Sequence, residues 1–136
     1  MQFKYHHMNL CTDDVPRLSE FYRSVFNLNR ISDYQRINTD NNAGYGGNVD
    51  FLTDGEVEFH ISRRDLNLGF RMQQVINPLE RGHFCFRTDD IAGVKQRLEE
   101  QGIPYADYGV WAMAGWYQIF FYDPDGNIIE VHQTNQ

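Results

Sequence analysis

Apolar and polar residues alternate across residues 7–12. Met8 and Leu10 share one side of this stretch, and His7, Asn9 and Cys11 share the other. A period of two predicts a strand with one buried face. The period then changes. Leu18, Phe21, Tyr22, Val25 and Phe26 recur at three- and four-residue intervals, which predicts an amphipathic helix. Asp13 or Asp14 suits its cap, and Pro16 its first turn. Strand patterns follow at about 31–36, 48–53 and 57–62, with a polar, glycine-rich loop at about 38–47. Residues 83–88 read as another strand. Ile91, Val94 and Leu98 then predict a second helix, capped by Asp89 or Asp90 and ended by Gly102 and Pro104. Three more strands are expected at about 105–111, 116–122 and 127–133. The joining segment, 63–82, has room for a short helix near 70–75 before Pro78 breaks it.

The second half of this pattern repeats the first. His7, Thr12 and Asp14 return, at one constant offset, as His83, Thr88 and Asp90. Val57-Glu58-Phe59-His60 returns as Ile129-Glu130-Val131-His132, each after an Asp-Gly turn. A repeat on this scale means two similar supersecondary units packed together. Each unit is a strand, a helix and three strands. The predicted class is therefore α+β, one domain of two βαβββ modules at about 4–64 and 80–134.

Side-chain parity gives the repeat its chemistry. On all four strands the apolar residues fall on one face, and His7, Glu58, His60, His83, Glu130 and His132 fall on the other. Apolar faces under helices and polar faces turned inward make a cup-shaped open barrel. A pseudo-twofold then gathers His7, Glu58, His83 and Glu130. Imidazole and carboxylate donors suit one divalent ion: Zn²⁺, Ni²⁺, Fe²⁺, Mn²⁺ or Co²⁺. Two carboxylates and two neutral imidazoles would make a neutral shell. His60 rivals Glu58 for the fourth position. His132 lies one pleat beyond Glu130, where an orienting hydrogen bond is expected. Parity turns His6 away from the cup. Asn9, Cys11 and Cys85 would line its floor, Arg87 would anchor a substrate carboxylate, and Trp116 or Phe120 would supply an apolar wall.

Bulk properties narrow the partners. The 136 residues carry 12 Lys and Arg against 19 Asp and Glu, for a formal charge of −7. No basic cluster exists to meet a nucleic-acid backbone, and no apolar run approaches membrane-spanning length. Two cysteines make no disulfide framework. The opening residues, Met-Gln-Phe-Lys, form no leader-like apolar stretch, so a cytoplasmic protein is expected.

The motifs resemble those of the vicinal-oxygen-chelate superfamily, which includes glyoxalase I, fosfomycin- and bleomycin-resistance proteins and extradiol dioxygenases. The resemblance spans His7…Leu10…Asp14 with Phe21-Tyr22, Val57-Glu58-Phe59, His83…Thr88-Asp89, and the turn Asp123-Pro124-Asp125-Gly126 before Asn127-Ile128-Ile129-Glu130. It implies paired βαβββ modules around one divalent metal, a small-molecule substrate and a homodimer. The set His7, Glu58, His83 and Glu130 looks like that of metal-dependent glyoxalase I. There an Arg four residues after the first His holds glutathione, where this chain has Cys11. The implied activity is a lyase or isomerase reaction. A substrate chelates the ion through two oxygens, Glu130 or Glu58 removes a proton, and the ion stabilises the enediolate. Two alternatives stand beside it. One is a metal-free binding protein of bleomycin-resistance type. The other is an Fe(II) dioxygenase using His7, His83 and Glu130.

Overall fold

A computed structural model describes residues 1–32, 34 and 44–134. The first module holds strand β1 (Phe3–Thr12), helix α1 (Val15–Phe26), and strands β2 (Asn29–Arg30), β3 (Val49–Thr53) and β4 (Glu58–Arg63). A short helix α2 (Leu68–Met72) lies in the joining segment. The second module holds β5 (His83–Thr88), α3 (Ile91–Glu100), β6 (Ala106–Val110), β7 (Trp116–Tyr122) and β8 (Ile128–Thr134).

The eight strands form one open sheet in the order β2-β3-β4-β1-β5-β8-β7-β6. Each module contributes half of this palindrome. The first strand of each lies parallel to the last strand of its own module, and the halves join where β1 and β5 pair antiparallel. The two units thus meet edge to edge within one chain, and the cup is the concave face of a single sheet.

Both helices begin as the sequence predicts. The Asp14 carboxylate accepts from Arg17 N at 3.2 Å, and that of Asp90 accepts from Gly93 N at 2.9 Å. Helix α1 packs Val15, Leu18 and Tyr22 against Leu52, Phe59 and Ile61. Helix α3 packs Val94 and Leu98 against Ile119 and Val131. The predicted apolar stripe of α1 is only half used, because Phe21, Val25 and Phe26 face solvent. Met8, Phe84 and Phe86, on the outer side of the central strands, are also incompletely covered. The helices lie over the flanks of the sheet and leave its middle open. The third cluster fills the concave side, where Phe51, Leu79, Tyr108, Trp111, Met113 and Phe120 pack together.

Two expectations shift. Strand β2 begins ahead of the predicted 31–36, pairing Asn29 with Thr53 and Arg30 with Leu52; residues 33, 35 and 36 lie outside the described residues. Helix α2 ends before the predicted 75, since Gln73 turns left-handed (φ 54°) and closes the helix on the Gly69 and Phe70 carbonyls. Residues 38–43 of the glycine-rich loop are likewise outside the described residues, and the rest of that loop buries Tyr45 against Trp111. Among the described residues no helix is long and apolar enough to cross a membrane.

Candidate metal centre

Strand pairing lays the candidates out in rows on the concave face. The central row runs Glu58, His7, Cys85, Glu130, Phe120 across β4, β1, β5, β8 and β7. One pleat to one side stand His60, Asn9 and His83. One pleat to the other stand Arg87, His132 and Gln118. Same-face neighbours on adjacent strands lie within side-chain reach, so parity and register suffice to bring these groups together.

Glu130 is the hub. It is 1% exposed. Its Oε1 lies 3.4 Å from His7 Nε2 and 3.0 Å from His83 Nε2. Its Oε2 lies 2.8 Å from His132 Nδ1 and 3.4 Å from Gln118 Nε2. Burial alone would raise its pKa; the imidazoles packed around it, with His132 Nδ1 donating to Oε2, hold it well below the usual carboxylate range. His7, wholly buried, has its pKa driven far down by burial, and it stays an uncharged imidazole.

Glu58 does not join this hub. Tyr34 donates its hydroxyl to both Glu58 oxygens at 2.6 and 2.7 Å, and His60 Nε2 meets Oε1 at 2.8 Å. The reason is a slip in register between the modules. Met8 pairs with Phe59, while its counterpart Phe84 pairs with Ile129. The next position along is therefore His60 in one module and Glu130 in the other. A two-residue slip preserves the face of every side chain, so it is invisible to parity. The His60 ring stacks on His7 with centroids 3.8 Å apart. Burial pushes Glu58 upward, but the His60 and Tyr34 hydrogen bonds outweigh it, and its pKa falls below the ordinary value.

His6 contradicts its expected placement. The β1–β5 ladder pairs Tyr5 with Phe86 and then His7 with Cys85, leaving His6 as an extra residue in a bulge. A bulge re-aims its side chain, and His6 turns into the cup beside its neighbour. Its Nδ1 lies 2.9 Å from His7 Nδ1, and its Nε2 is 3.5 Å from Glu58 Oε2. Burial lowers its pKa to about 3. All five histidines of the chain thereby gather in one place.

The remaining candidates divide. Trp116 stacks on His132 at 4.2 Å, and the Arg87 guanidinium lies 5.2 Å over the Trp116 ring. Arg87 also donates to His132 Nε2. Phe120 is fully buried and meets His83 edge-on at 5.3 Å. Asn9 and Cys11 bond instead to each other and to Ser62, and burial raises the Cys11 thiol to about 11. Gln118, on the inward parity of β7, was readable as a cup residue but carried no motif. Tyr34 gave no sequence signal.

The donors fit a divalent ion on one further ground. His83 Nδ1 lies 2.8 Å from the Pro78 carbonyl, which only accepts, so Nδ1 carries the hydrogen. In the neutral ring Nε2 is then a bare lone pair aimed at a carboxylate oxygen. The same holds at His7 if His6 gives its Nε2 hydrogen to Glu58, because His7 Nδ1 then donates to His6. Lone pairs facing Glu130 Oε1 require a positive centre between them, a proton or a metal ion. An orienting bond on the other ring nitrogen is the usual arrangement of a ligating histidine. Gln118 Oε1, buried without a partner among the described residues, adds an unused acceptor at the same place.

Comparison with known proteins places this geometry. The crystal structure of a hypothetical protein from Bacillus halodurans C-125 matches at TM-score 0.69 and 15% identity, over 100% of this chain and 97% of that one. A glyoxalase/bleomycin resistance protein/dioxygenase superfamily member from Vibrio splendidus 12B01 matches at 0.64 and 18%, over 97% and 99%. Methylmalonyl-CoA epimerase from Mycobacterium tuberculosis matches at 0.69 and 15%, over 97% and 88%. At such identities the likeness is one of fold. No curated protein sequence matches. A family model does, over residues 4–131, and with it the fold and the repeated motifs agree: the chain belongs to the Glyoxalase/Bleomycin resistance protein/Dioxygenase superfamily.

Proposed function

We propose that this protein is a metal-dependent lyase or isomerase that moves a proton on a small substrate chelating the ion through two neighbouring oxygens. The carrying observation is the convergence of His7 Nε2 and His83 Nε2 on one oxygen of a buried carboxylate. These two imidazoles and Glu130 would hold the ion, with His60 stacked against His7. Once bound, the ion supplies Lewis-acid polarisation to a substrate carbonyl. The same fold carries an epimerase in the methylmalonyl-CoA epimerase structures, in keeping with chemistry at a carbon beside a carbonyl.

The protein's own part is proton handling. Glu58 is the better of the two carboxylates for it. Its side chain is 19% exposed and that of neighbouring His6 is 14%, against 2% for His7 and Glu130. Substrate therefore approaches from the Glu58 side. Glu58 is ionised at neutral pH and takes the proton on Oε1 or Oε2, while Tyr34 and His60 hold its carboxylate in place. Trp116 and Arg87 flank the cluster, with the guanidinium positioned to meet a substrate anion.

Hydrogen exchange tests the proposal. Metal-loaded protein is incubated in D₂O with a panel of 2-oxo aldehyde hemithioacetals and 2-substituted acyl thioesters. Mass spectrometry should find deuterium at the carbon beside the carbonyl of at least one. Glu58→Gln should slow that exchange roughly 10²-fold or more. No exchange across the panel, or full exchange in a Glu58→Gln, Glu130→Gln double variant, overturns it. A second reading draws on the same ligands, because two imidazoles and one carboxylate also bind Fe(II) in oxygenases. With Glu58 outside the hub, open positions remain. Catechol-dependent oxygen uptake after anaerobic iron loading would favour that reading.

A further inference from the structure

Cys85 is the middle residue of the central row. It stands between His7 and Glu130 in the central row, each its direct partner across a strand pair. It is fully buried. Its Sγ and one donor atom each of His7, Glu130 and His132 all lie within 4.8 Å of one another.

The hydrogen bonds around the sulfur have a direction, and Arg87 sets it. A guanidinium only donates. Arg87 Nε meets His132 Nε2 at 2.8 Å, so Nε2 accepts and the neutral ring carries its hydrogen on Nδ1. That N–H faces two atoms, Glu130 Oε2 at 2.8 Å and Cys85 Sγ at 2.9 Å. An N–H aimed at the sulfur would support the thiolate that ligation creates. A neutral thiol has its own hydrogen to place, and the acceptor it finds is the Phe86 carbonyl at 3.6 Å. Charge counting agrees. Imidazole ligands bring no charge and Glu130 brings one negative charge. A thiolate brings the second, so the shell neutralises a divalent ion without Glu58.

We infer that Cys85 is a thiolate ligand of the cation alongside His7 and Glu130, with Arg87 and His132 as its hydrogen-bonding support. This rests on the reading that a cation occupies the cup. Ligation breaks the Sγ–H bond, forms a sulfur–metal bond and releases the proton to solvent, with no change of oxidation state. A sulfur donor selects Zn²⁺, Co²⁺ or Cd²⁺ over Mn²⁺. Arg87 Nε, through His132, then supports the ligand shell, in addition to the part the guanidinium plays toward a substrate anion.

Cobalt spectroscopy tests the inference apart from the reading beneath it. Metal-free protein is titrated with Co²⁺ while absorption is recorded for wild type, Cys85→Ser and Cys11→Ser. Wild type should take up about one equivalent, showing visible d–d bands and a near-ultraviolet thiolate-to-cobalt charge-transfer band. Cys11→Ser should keep both. Cys85→Ser should lose the charge-transfer band and bind Cd²⁺ at least about tenfold more weakly, with a smaller change for Mn²⁺. Uptake of Co²⁺ by wild type with d–d bands but no charge-transfer band overturns the Cys85 assignment alone. So does a band that survives in Cys85→Ser. Failure of wild type to bind Co²⁺ or Cd²⁺ while it retains another divalent ion overturns the assignment alone; failure to retain any divalent ion overturns the cation reading, and the assignment with it. The decisive spectrum is that of wild type, so the result does not depend on a variant's folding.

Discussion

Gly82 is the residue on which the entry to β5, and so the aim of His83, depends. Its φ is +101°, a conformation costly for any residue with a Cβ. A Cβ built there falls well inside van der Waals contact of the Asn9 carbonyl oxygen, and 3.3 Å from its carbonyl carbon. Asn9 belongs to the backbone of β1 and pairs with His83, so relief requires β1 and β5 to separate. Gly55 offers a matched control, with φ +104° and nothing within 4 Å of its Cβ. Gly55→Ala should cost about 1–2 kcal/mol from backbone strain alone. Gly82→Ala carries the same strain and adds the weakening of about two ladder hydrogen bonds at ~1 kcal/mol each, for a total of about 3–4 kcal/mol. For a chain of this size that lowers Tm by roughly 10–20 °C, against about 5 °C for the control. Urea and thermal unfolding followed by far-ultraviolet circular dichroism measure both. Equal losses in the two variants would refute the claim that close approach of β1 to β5 is what requires glycine before His83.

Acid sensitivity follows from the buried histidines. Burial lowers the folded pKa of His6 to about 3 from the ordinary 6.5, and it lowers those of His7 and His60 as well. The unfolded chain then binds more protons, so stability is full above about pH 6.5 and falls as the pH drops from there toward about 3. Urea melts of metal-free protein should show this loss, His6→Asn should flatten it, and stability constant down to about pH 5 would contradict it. The repeated helix caps give a symmetric pair: Asp14→Ala and Asp90→Ala should each cost about 1 kcal/mol by the same melts, and neither change should alter metal content.

Much of this architecture is legible in the residues. The alternation around Met8 and Leu10 gives a strand and its faces. The shift to three- and four-residue spacing after Asp14 gives a helix, and the return of both after His83 gives the pairing of modules. Parity put His7, His83 and Glu130 on one face, and their meeting at a single oxygen needed only the pairing of β1 with β5 and β8. What stayed hidden depends on local irregularity. One extra residue in a bulge reverses the face of His6, and no side chain announces it. A two-residue slip of β4 against β1 leaves parity intact and exchanges Glu58 for His60, so the repeat Val-Glu-Phe-His misaligns with the ladder it folds into. Tyr34 reaches Glu58 from outside any periodic segment. The half-used apolar face of α1 shows the same limit, because spacing reveals which residues share a side but not how much of that side the sheet covers.

The central claim is that His7, His83 and Glu130 share one cation, and metal quantification tests it most directly. Protein stripped of metal, incubated in turn with Zn²⁺, Ni²⁺, Fe²⁺, Mn²⁺ and Co²⁺ and then desalted, should retain about one equivalent of at least one ion per chain. Glu130→Gln and His83→Ala should each retain far less while melting as folded proteins. Wild type that holds none of the five, or a Glu130→Gln variant that holds as much as wild type, would contradict the account.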